Sequence, residues 1–493
     1  MSWIVLIVII FIAAVLLLML IRAARFAPRP VASHSLPEAP VDIGAAISHL
    51  CEAISIRTVS DPDEEKMDWA EFERFHGWLE QAYPAAHEAL DHEVVGRASL
   101  LYRWAGSEPA GARLKPFGLL AHMDVVPVEE ATLGDWSYPP FEGHDDGDTV
   151  WGRGANDMKN HLVALFEAIE ALLREGYKPL RDIYICIGHN EETQVGGQSG
   201  ARAIARLLQE RGVHMEFVLD EGGAVIEDPP FGVNSPAAMV GLAEKGYANF
   251  VLSVADDGGH AAEPPPLTAL GNLARALAAI EAAPMKQRLV TPVTLTFDAL
   301  GRHMGLPLRL ALANLWLTKP LVLPVLAKDR QTNAMTRTTI AATMAEASPA
   351  ANVLPQRAAA TVNVRILPGE TEEDVRAHIG RVAARAGITL EIEVAKYSPP
   401  VGMRTGEWAY EAILRFLPAI RESILPVPYL VTGATDSREY AEVADEIYRF
   451  YPFLLSGDEL ASMHATDERV RHESLAGALR FNYHFIKEAG LRK

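Results

Sequence analysis

Cysteine is nearly absent: Cys51 and Cys186 are the two in 493 residues. That excludes a disulfide-stapled scaffold and a Cys-rich zinc module. Cys186 lies in an apolar run and Cys51 beside one, so both read as small core residues, and nothing in their placement argues for a disulfide. Basic charge is also short. Lys+Arg number 45 against Asp+Glu 64, a net charge of −19, which excludes a protein that grips nucleic acid through a basic face. Internal repeats and low-complexity tracts are missing. With 49% hydrophobic and 22% charged residues, the chain is globular rather than disordered. No phosphate loop or haem motif stands out. The glycines of Gly196-Gly197-Gln198-Ser199-Gly200 read as a turn entering a helix over Ala201–Arg211, not as a dinucleotide fingerprint. The length allows two to three domains.

What the chain does have is one long apolar run, Trp3 to Ile21, without a charge. As a helix it crosses a hydrocarbon core of ~30 Å. Trp3 stands where an interfacial aromatic belongs, and Arg22 and Arg25 close the other end. A cleaved signal peptide is the rival. It is disfavoured because no Lys or Arg precedes the run, the run exceeds an h-region of about 7–15 residues, and no A-x-A site follows. Arg22, Arg25 and Arg29 lean the body toward the cytoplasm, although a long C-terminal domain can be translocated regardless. Residues 22–41, rich in proline, read as a semi-rigid linker.

From Asp42 the pattern is that of a folded domain. Phe117–Ala121, Ile183–Gly188 and Phe217–Leu219 read as buried strands. Met158–Glu175 reads as a helix with one apolar stripe and Gly176 as its stop. Strand–helix alternation predicts an α/β fold with a mostly parallel sheet sandwiched by helices. Near Glu244 the pattern changes. Strands at Ala248–Val254, Arg337–Ala345, Ala358–Ile366 and Ile388–Ala395, with helices at Leu267–Ala282 and Thr371–Ala386, give the order β-α-β-β-α-β of an inserted ferredoxin-like domain. The division is then 3–21 anchor, 22–41 linker, 42–243 first half of the large domain, 244–398 inserted domain and 399–493 second half. Leu306–Leu326 is strongly apolar, but Pro307, Pro320, Pro324, Arg309 and Lys319 argue against a second span. It reads either as an excursion packed on the inserted sheet or as an apolar surface that meets a bilayer or a greasy substrate.

Chemistry gathers after the strands. FGLLA ends in His122-Met123-Asp124, IYICIG runs into His189-Asn190-Glu191-Glu192, and FVL runs into Asp220-Glu221-Gly222-Gly223. WGRGANDMK opens the long helix with Asp157. Open α/β sheets bind ligands beyond the carboxyl ends of their strands. So many carboxylates cannot be buried together without a cation, because like charges at short range repel strongly in low dielectric. One or two divalent metals resolve this. Singly, each group has an ordinary reading: a hydrogen-bonded His, a solvated Glu pair, an N-capping Asp157, an unremarkable His464. The ordered set favours a site.

HMDVVP, WGRGANDMKN, GHNEETQVGGQSGA, LDEGG and MHATDERV resemble, in order and spacing, the motifs of the aminoacylase/carboxypeptidase family of di-zinc metallopeptidases. The branch is that of carboxypeptidase S and the N-fatty-acyl-amino acid synthase/hydrolase. The resemblance runs from about Asp42 to Lys493. It implies a zinc-exopeptidase-like catalytic domain with the inserted domain as a lid. It implies two zinc ions, other divalent metals being open: one on His122, Asp157 and Asp220, the second on Asp157, Glu192 and His464, with Asp157 bridging. Asp124 would hold the His122 ring. Glu191 would be general base toward a metal-bridging hydroxide. A cis peptide is implied at Asp157–Met158. The lid would supply His260 to the oxyanion, and Asn352 and Arg438 would bind substrate, Arg438 through a free carboxylate; a structural ion pair is the other reading of Arg438. Arg365 reads as structural.

The resulting expectation is a membrane-anchored zinc hydrolase of amide bonds that releases an amino acid, either from N-acyl amino acids or from short peptides. A non-catalytic tethered binding protein is the remote alternative. A small substrate with a free carboxylate and the membrane are the expected partners, nucleic acid is not, and self-association stays open.

Overall fold

The structure is a computed structural model that describes residues 3–29, 35–108, 114–193, 200–229 and 232–492. The residues Gly196 to Ser199 of the expected turn lie outside the described residues.

Helix α1 (Trp3–Arg25) takes up the whole apolar run and ends on Arg22 and Arg25. Its apolar stretch is not buried within the molecule. After it come β1 (Asp91–Val95), β2 (Ser99–Trp104), β3 (Phe117–His122), α2 (Lys159–Arg174), β4 (Ile183–Gly188), α3 (Gly200–Glu210), β5 (Met215–Asp220) and β6 (Ala237–Glu244). The chain then departs into β7 (Gly246–Ala255), α4 (Ala269–Ala282), α5 (Thr291–Gly301), α6 (Leu306–Ala313), α7 (Leu315–Leu326), α8 (Arg330–Thr336), β8 (Thr339–Glu346), β9 (Arg357–Ile366), α9 (Glu372–Arg385) and β10 (Glu391–Ser398). It returns through β11 (Leu425–Val431), β12 (Ala444–Arg449) and α10 (His472–Leu491).

Among the described residues the larger sheet has 10 strands. Its centre, β4-β3-β5-β12, is parallel, whereas β1, β2 and β4 pair antiparallel at one side. Both faces are covered, as parallel strands require. One face carries α2 and α10, with Phe117, Phe166, Phe217 and Phe485 in its core. The other carries α3 and the turn Asp436–Glu442, with Leu120, Val218 and Tyr440. Helix α2 is buried nearly all round, more than a single apolar stripe predicts, because α10 lies over its outer side. Several of its buried polar groups are paired, although His161 Nδ1 has no hydrogen-bond partner among the described residues. Glu167 meets His49 Nδ1 at 2.6 Å, Glu170 accepts from Ala86 N at 2.8 Å, and Lys159 Nζ donates to Ala53 O at 2.9 Å.

The smaller sheet runs β8-β9-β7-β10, antiparallel throughout, with α4 and α9 on one face over Phe250, Leu252, Leu273 and Ile379. That is the β-α-β-β-α-β arrangement of the ferredoxin type. The apolar segment Leu306–Leu326 corrects one expectation. It does not pack on this sheet but forms α6 and α7, broken at Asn314, which lie against α1, α5 and α8.

Candidate active site

Strands β3, β4 and β5 are side by side and parallel, so their carboxyl ends open on one place. His122 ends β3 in register with Gly188 at the end of β4, and the chain after β4 brings Glu191 and Glu192 to the same point. Asp157 comes from the turn before α2, and the Asp157–Met158 peptide is cis. His464 follows the short helix Gly457–Ser462 and adopts a left-handed φ of 59°. That backbone conformation is uncommon outside glycine, and such positions cluster at functional sites.

Two acidic residues fix this arrangement. Glu468 accepts the backbone N–H groups of Gly154 at 3.0 Å, Asn156 at 2.9 Å and Asp157 at 3.0 Å. It holds the Asp157 turn from a distant part of the chain. Asp124 accepts from Glu191 N at 3.1 Å and from Glu192 N at 3.2 Å, which orients two adjacent glutamates at once. Its carbonyl oxygen lies 3.0 Å from His122 Nδ1 and its Oδ1 lies 3.4 Å away. A proton on Nδ1 leaves the Nε2 lone pair facing inward, the tautomer a metal ligand needs.

His122 Nε2 faces Asp157 Oδ1 at 3.1 Å and Glu221 Oε1 at 3.5 Å. His464 Nε2 faces Asp157 Oδ2 at 2.9 Å and Glu192 at 3.1 Å. Asp157 therefore sits between two imidazoles, one on each carboxylate oxygen. Ligand atoms of His122, Asp157 and Glu192 lie within 4.8 Å of one another, as do those of His122, Glu191 and Glu221. The His122 side chain is 1% exposed and that of His464 50%, so the cluster is closed below and open at His464.

Buried without a cation, these groups cannot all be charged. Burial pushes Glu192 up to about 8 and Glu221 up to about 7, and the Asp157 charge adds to both. Burial also raises Glu191 and Asp436 well above the usual carboxylate range. The bonds to Asp157 and Glu192 lift His464 to about 10. Burial alone would raise Asp157, but His122 and His464 overcome it and hold it low. A donor set of imidazole and carboxylate, with a surplus of buried acid, fits divalent zinc-type ions.

The structure brings His122, Asp124, Asp157, Glu191, Glu192 and His464 together. Asp220, expected as a ligand, is placed differently from these six. Its carboxylate points under the turn Asp436–Glu442 and accepts from Ser437 N at 2.6 Å. The next residue, Glu221, reaches His122 instead. Strand β5 ends at Asp220 and the chain bends at Gly222, where φ is 107°, so the alternation of a strand stops applying. His260 and Asn352 lie elsewhere, exposed on the ribbon formed by Gly259–His260 and Val353–Leu354. Asn352 O accepts from Ala261 N at 3.1 Å, and no described contact joins either residue to the cluster. Arg438 clasps Glu244 through Nε at 2.8 Å and donates from Nη2 to Lys245 O at 3.2 Å. Arg449 Nε takes the other Glu244 oxygen at 2.6 Å. Yet among the described residues Arg438 Nη1 and Arg365 Nη1 are buried atoms without a hydrogen-bond partner.

A cavity of about 470 Å³ opens beside the cluster, from Glu221 and Met463 to Phe297, Leu300 and Met335. Its size suits a small-molecule site of ~300–1,000 Å³.

The sequence pattern of peptidase family M20/M25/M40 matches residues 118–488. The chain belongs to this family. It is an amide-bond hydrolase of the metallopeptidase type. It is 35% identical over 448 residues to the N-fatty-acyl-amino acid synthase/hydrolase PM20D1 of Mus musculus, covering 90% of this chain and 87% of the relative. It is 30% identical over 503 residues to carboxypeptidase S of Saccharomyces cerevisiae, covering 91% and 84%. Among solved structures, the M20 family metallo-carboxypeptidase Sso-CP2 from Sulfolobus solfataricus superposes with a TM-score of 0.64 at 16% identity, covering 90% of this chain and 98% of that one. Human carnosine dipeptidase 1 does so at 0.60 and 15%, covering 91% and 97%.

Proposed function

We propose that this protein is a membrane-anchored hydrolase of N-acyl amino acids, splitting the amide to a carboxylic acid and a free amino acid. The observation that carries this reading is the cavity of about 470 Å³ that ends on Glu221 and is walled by Phe297, Leu300 and Met335. Such walls suit an acyl chain, although Asp228, Thr296 and Gln331 also line the cavity. The name of the relative PM20D1 points the same way, whereas that of carboxypeptidase S points to peptides.

His122, Asp157, Glu221, Glu192 and His464 would hold two divalent ions, zinc by donor chemistry, with Asp157 shared. When bound, such ions polarise a carbonyl and make water acidic enough to ionise near neutrality. Glu191 takes the proton of the attacking water and returns it to the leaving nitrogen. Its burial supports a base whose proton affinity is tuned by surroundings. Asp124 keeps Glu191 and the His122 ring in place. Arg438 Nη1 and Arg365 Nη1 are free to meet the substrate carboxylate, in keeping with guanidinium geometry. His260 and Asn352 would approach from the smaller sheet when it closes over the site. Helix α1 supports anchoring by its length and its lack of charge.

A second reading is an exopeptidase on short peptides. It is favoured by the unpartnered guanidinium atoms, which would serve a peptide C-terminus equally well. The test is product release by the full chain from a panel of N-acyl amino acids and dipeptides, with Glu191→Gln as control. Glu191-dependent cleavage of long-chain N-acyl amino acids with dipeptides spared supports the first reading. The converse selects the second. No turnover by a metal-loaded protein overturns both and leaves a tethered binding protein.

A further inference from the structure

Helices α6 and α7 expose what a globular protein usually buries. Leu306 is 56% exposed, Trp316 55%, Leu321 74% and Val325 60%. Leu306–Leu326 holds no Asp or Glu. A contiguous apolar face of this kind marks an interaction surface. The contacts of α1 say which one.

The last turns of α1 are fastened to this segment. Arg22 Nε donates to Ala313 O at 3.1 Å, and Asn314 Nδ2 donates to Met19 O at 3.1 Å. The Arg302 guanidinium lies 4.5 Å from the centre of the Phe26 ring. Along α1, Val15, Met19 and Ala23 are the covered residues, four apart and so on one face. Met19 precedes the end of the apolar run by two residues, about 3 Å of helix rise. Where α1 crosses a bilayer, Asn314 therefore lies at the edge of the hydrocarbon. The apolar side chains of α6 and α7 then fall at the acyl and headgroup boundary, with Trp316 and Lys319 suited to that level.

The cavity is lined not by α6 and α7 but by their immediate neighbours. Its outer wall is made of α5 (Phe297, Leu300) and α8 (Thr332, Met335), the two elements that flank α6 and α7, and its inner end is Glu221. We infer that α6 and α7 seat in the leaflet beside α1, and that the cavity takes the acyl chain of a substrate drawn from that leaflet. The inference rests on the amidohydrolase reading for the identity of the chain. Seating in the bilayer stands apart from it. The amide then arrives at the cluster with its acyl part in the cavity and its amino-acid part toward Arg438. Single-chain amphiphiles of this kind reside in membranes, so the platform presents the site where the substrate is concentrated.

The experiment uses the full chain in phosphatidylcholine vesicles. Burial pushes both native thiols up, Cys51 to about 11 and Cys186 to about 12, so an engineered surface thiol labels selectively at neutral pH. A fluorophore on Leu321→Cys should be quenched several-fold more by doxyl-labelled lipid than one on the exposed Glu65→Cys. Equal quenching overturns the seating. The double variant Trp316→Glu/Leu321→Glu should raise KM for an N-oleoyl amino acid in vesicles at least tenfold, with turnover of the N-acetyl amino acid in water unchanged. Equal loss on both substrates means a structural role and overturns the inference. Leu300→Trp, which fills the cavity, should lower the oleoyl-to-acetyl ratio of kcat/KM at least tenfold; an unchanged ratio places the chain elsewhere. If the unmodified protein turns over neither substrate, the amidohydrolase reading fails, and the quenching comparison still decides the seating.

Discussion

At the carboxyl ends of β3, β4 and β5, acidic groups are buried beside two histidines. In α6 and α7, leucine, valine and tryptophan face outward. The two regions invert the usual partition in opposite senses, and each inversion is costly for the chain alone. On the readings proposed above, both are half of an interaction: the first with cations, the second with a bilayer. A third place, Glu244, shows what a self-sufficient buried charge looks like. It is fully buried, yet Arg438, Arg449 and Thr435 complete it within the chain.

The comparison sharpens by removing one group at a time. The largest effect is expected from Glu191→Gln, a loss in kcat of about 10³-fold, within the ~10²–10⁴ of a general base. Metal content measured by atomic emission should stay that of the parent; its loss would make Glu191 a ligand instead. Next, Glu221→Gln should weaken metal binding by more than ~100-fold, beyond the 10–100-fold typical of outer partners, whereas Asp220→Asn should stay below that. Competition with a chromogenic chelator distinguishes them, and the reverse ranking would make Asp220 the ligand.

For the self-sufficient charge, Glu244→Gln should destabilise by about 3–5 kcal/mol, the cost of stranding a buried partner. Denaturant melts should show it whether metal is present or stripped. A smaller, pH-dependent effect comes from stripping the metal. In the metal-free fold Glu192 and Glu221 hold protons up to about 8 and about 7, against ~4.3 unfolded. The fold binds more protons than the unfolded chain, so stability falls as pH rises through that window. His464, raised to about 10, acts in the same direction above its unfolded value of ~6.5. Melting of the stripped protein should therefore drop by several degrees between pH 5 and 9, and the metal-loaded protein should lack this slope.

Much of this was legible in residue order. Three apolar runs gave three strands nearly to the residue because strands buried on both faces leave no polar interruption. Glycine at 176 stopped α2 where a left-handed residue was needed, φ being 71°. The cluster was legible because each chemical residue followed a strand. Glu221 was not. By strand alternation Asp220 shares a side with Val218, and only the bend at Gly222 sends its neighbour inward. Glu468 was missed for another reason: its work is done on backbone amides, which carry no signature in a sequence. The apolar segment could be judged too broken to span, but its fastening to α1 depends on Asn314 and Arg22, two polar residues whose partners are carbonyls.

Glu468 and His464 also bear on when the protein becomes competent. Both come late in the chain, long after α1. A chain growing from its N-terminus at ~5–20 residues per second has α1 available long before the Asp157 turn has the acceptor that shapes it or the imidazole that closes the cluster. A truncated or still-growing chain carries His122, Asp157 and Glu192 without their organiser. Synthesis therefore completes the cluster last, and a chain that stops short of Glu468 would lack the acceptor for the Asp157 turn.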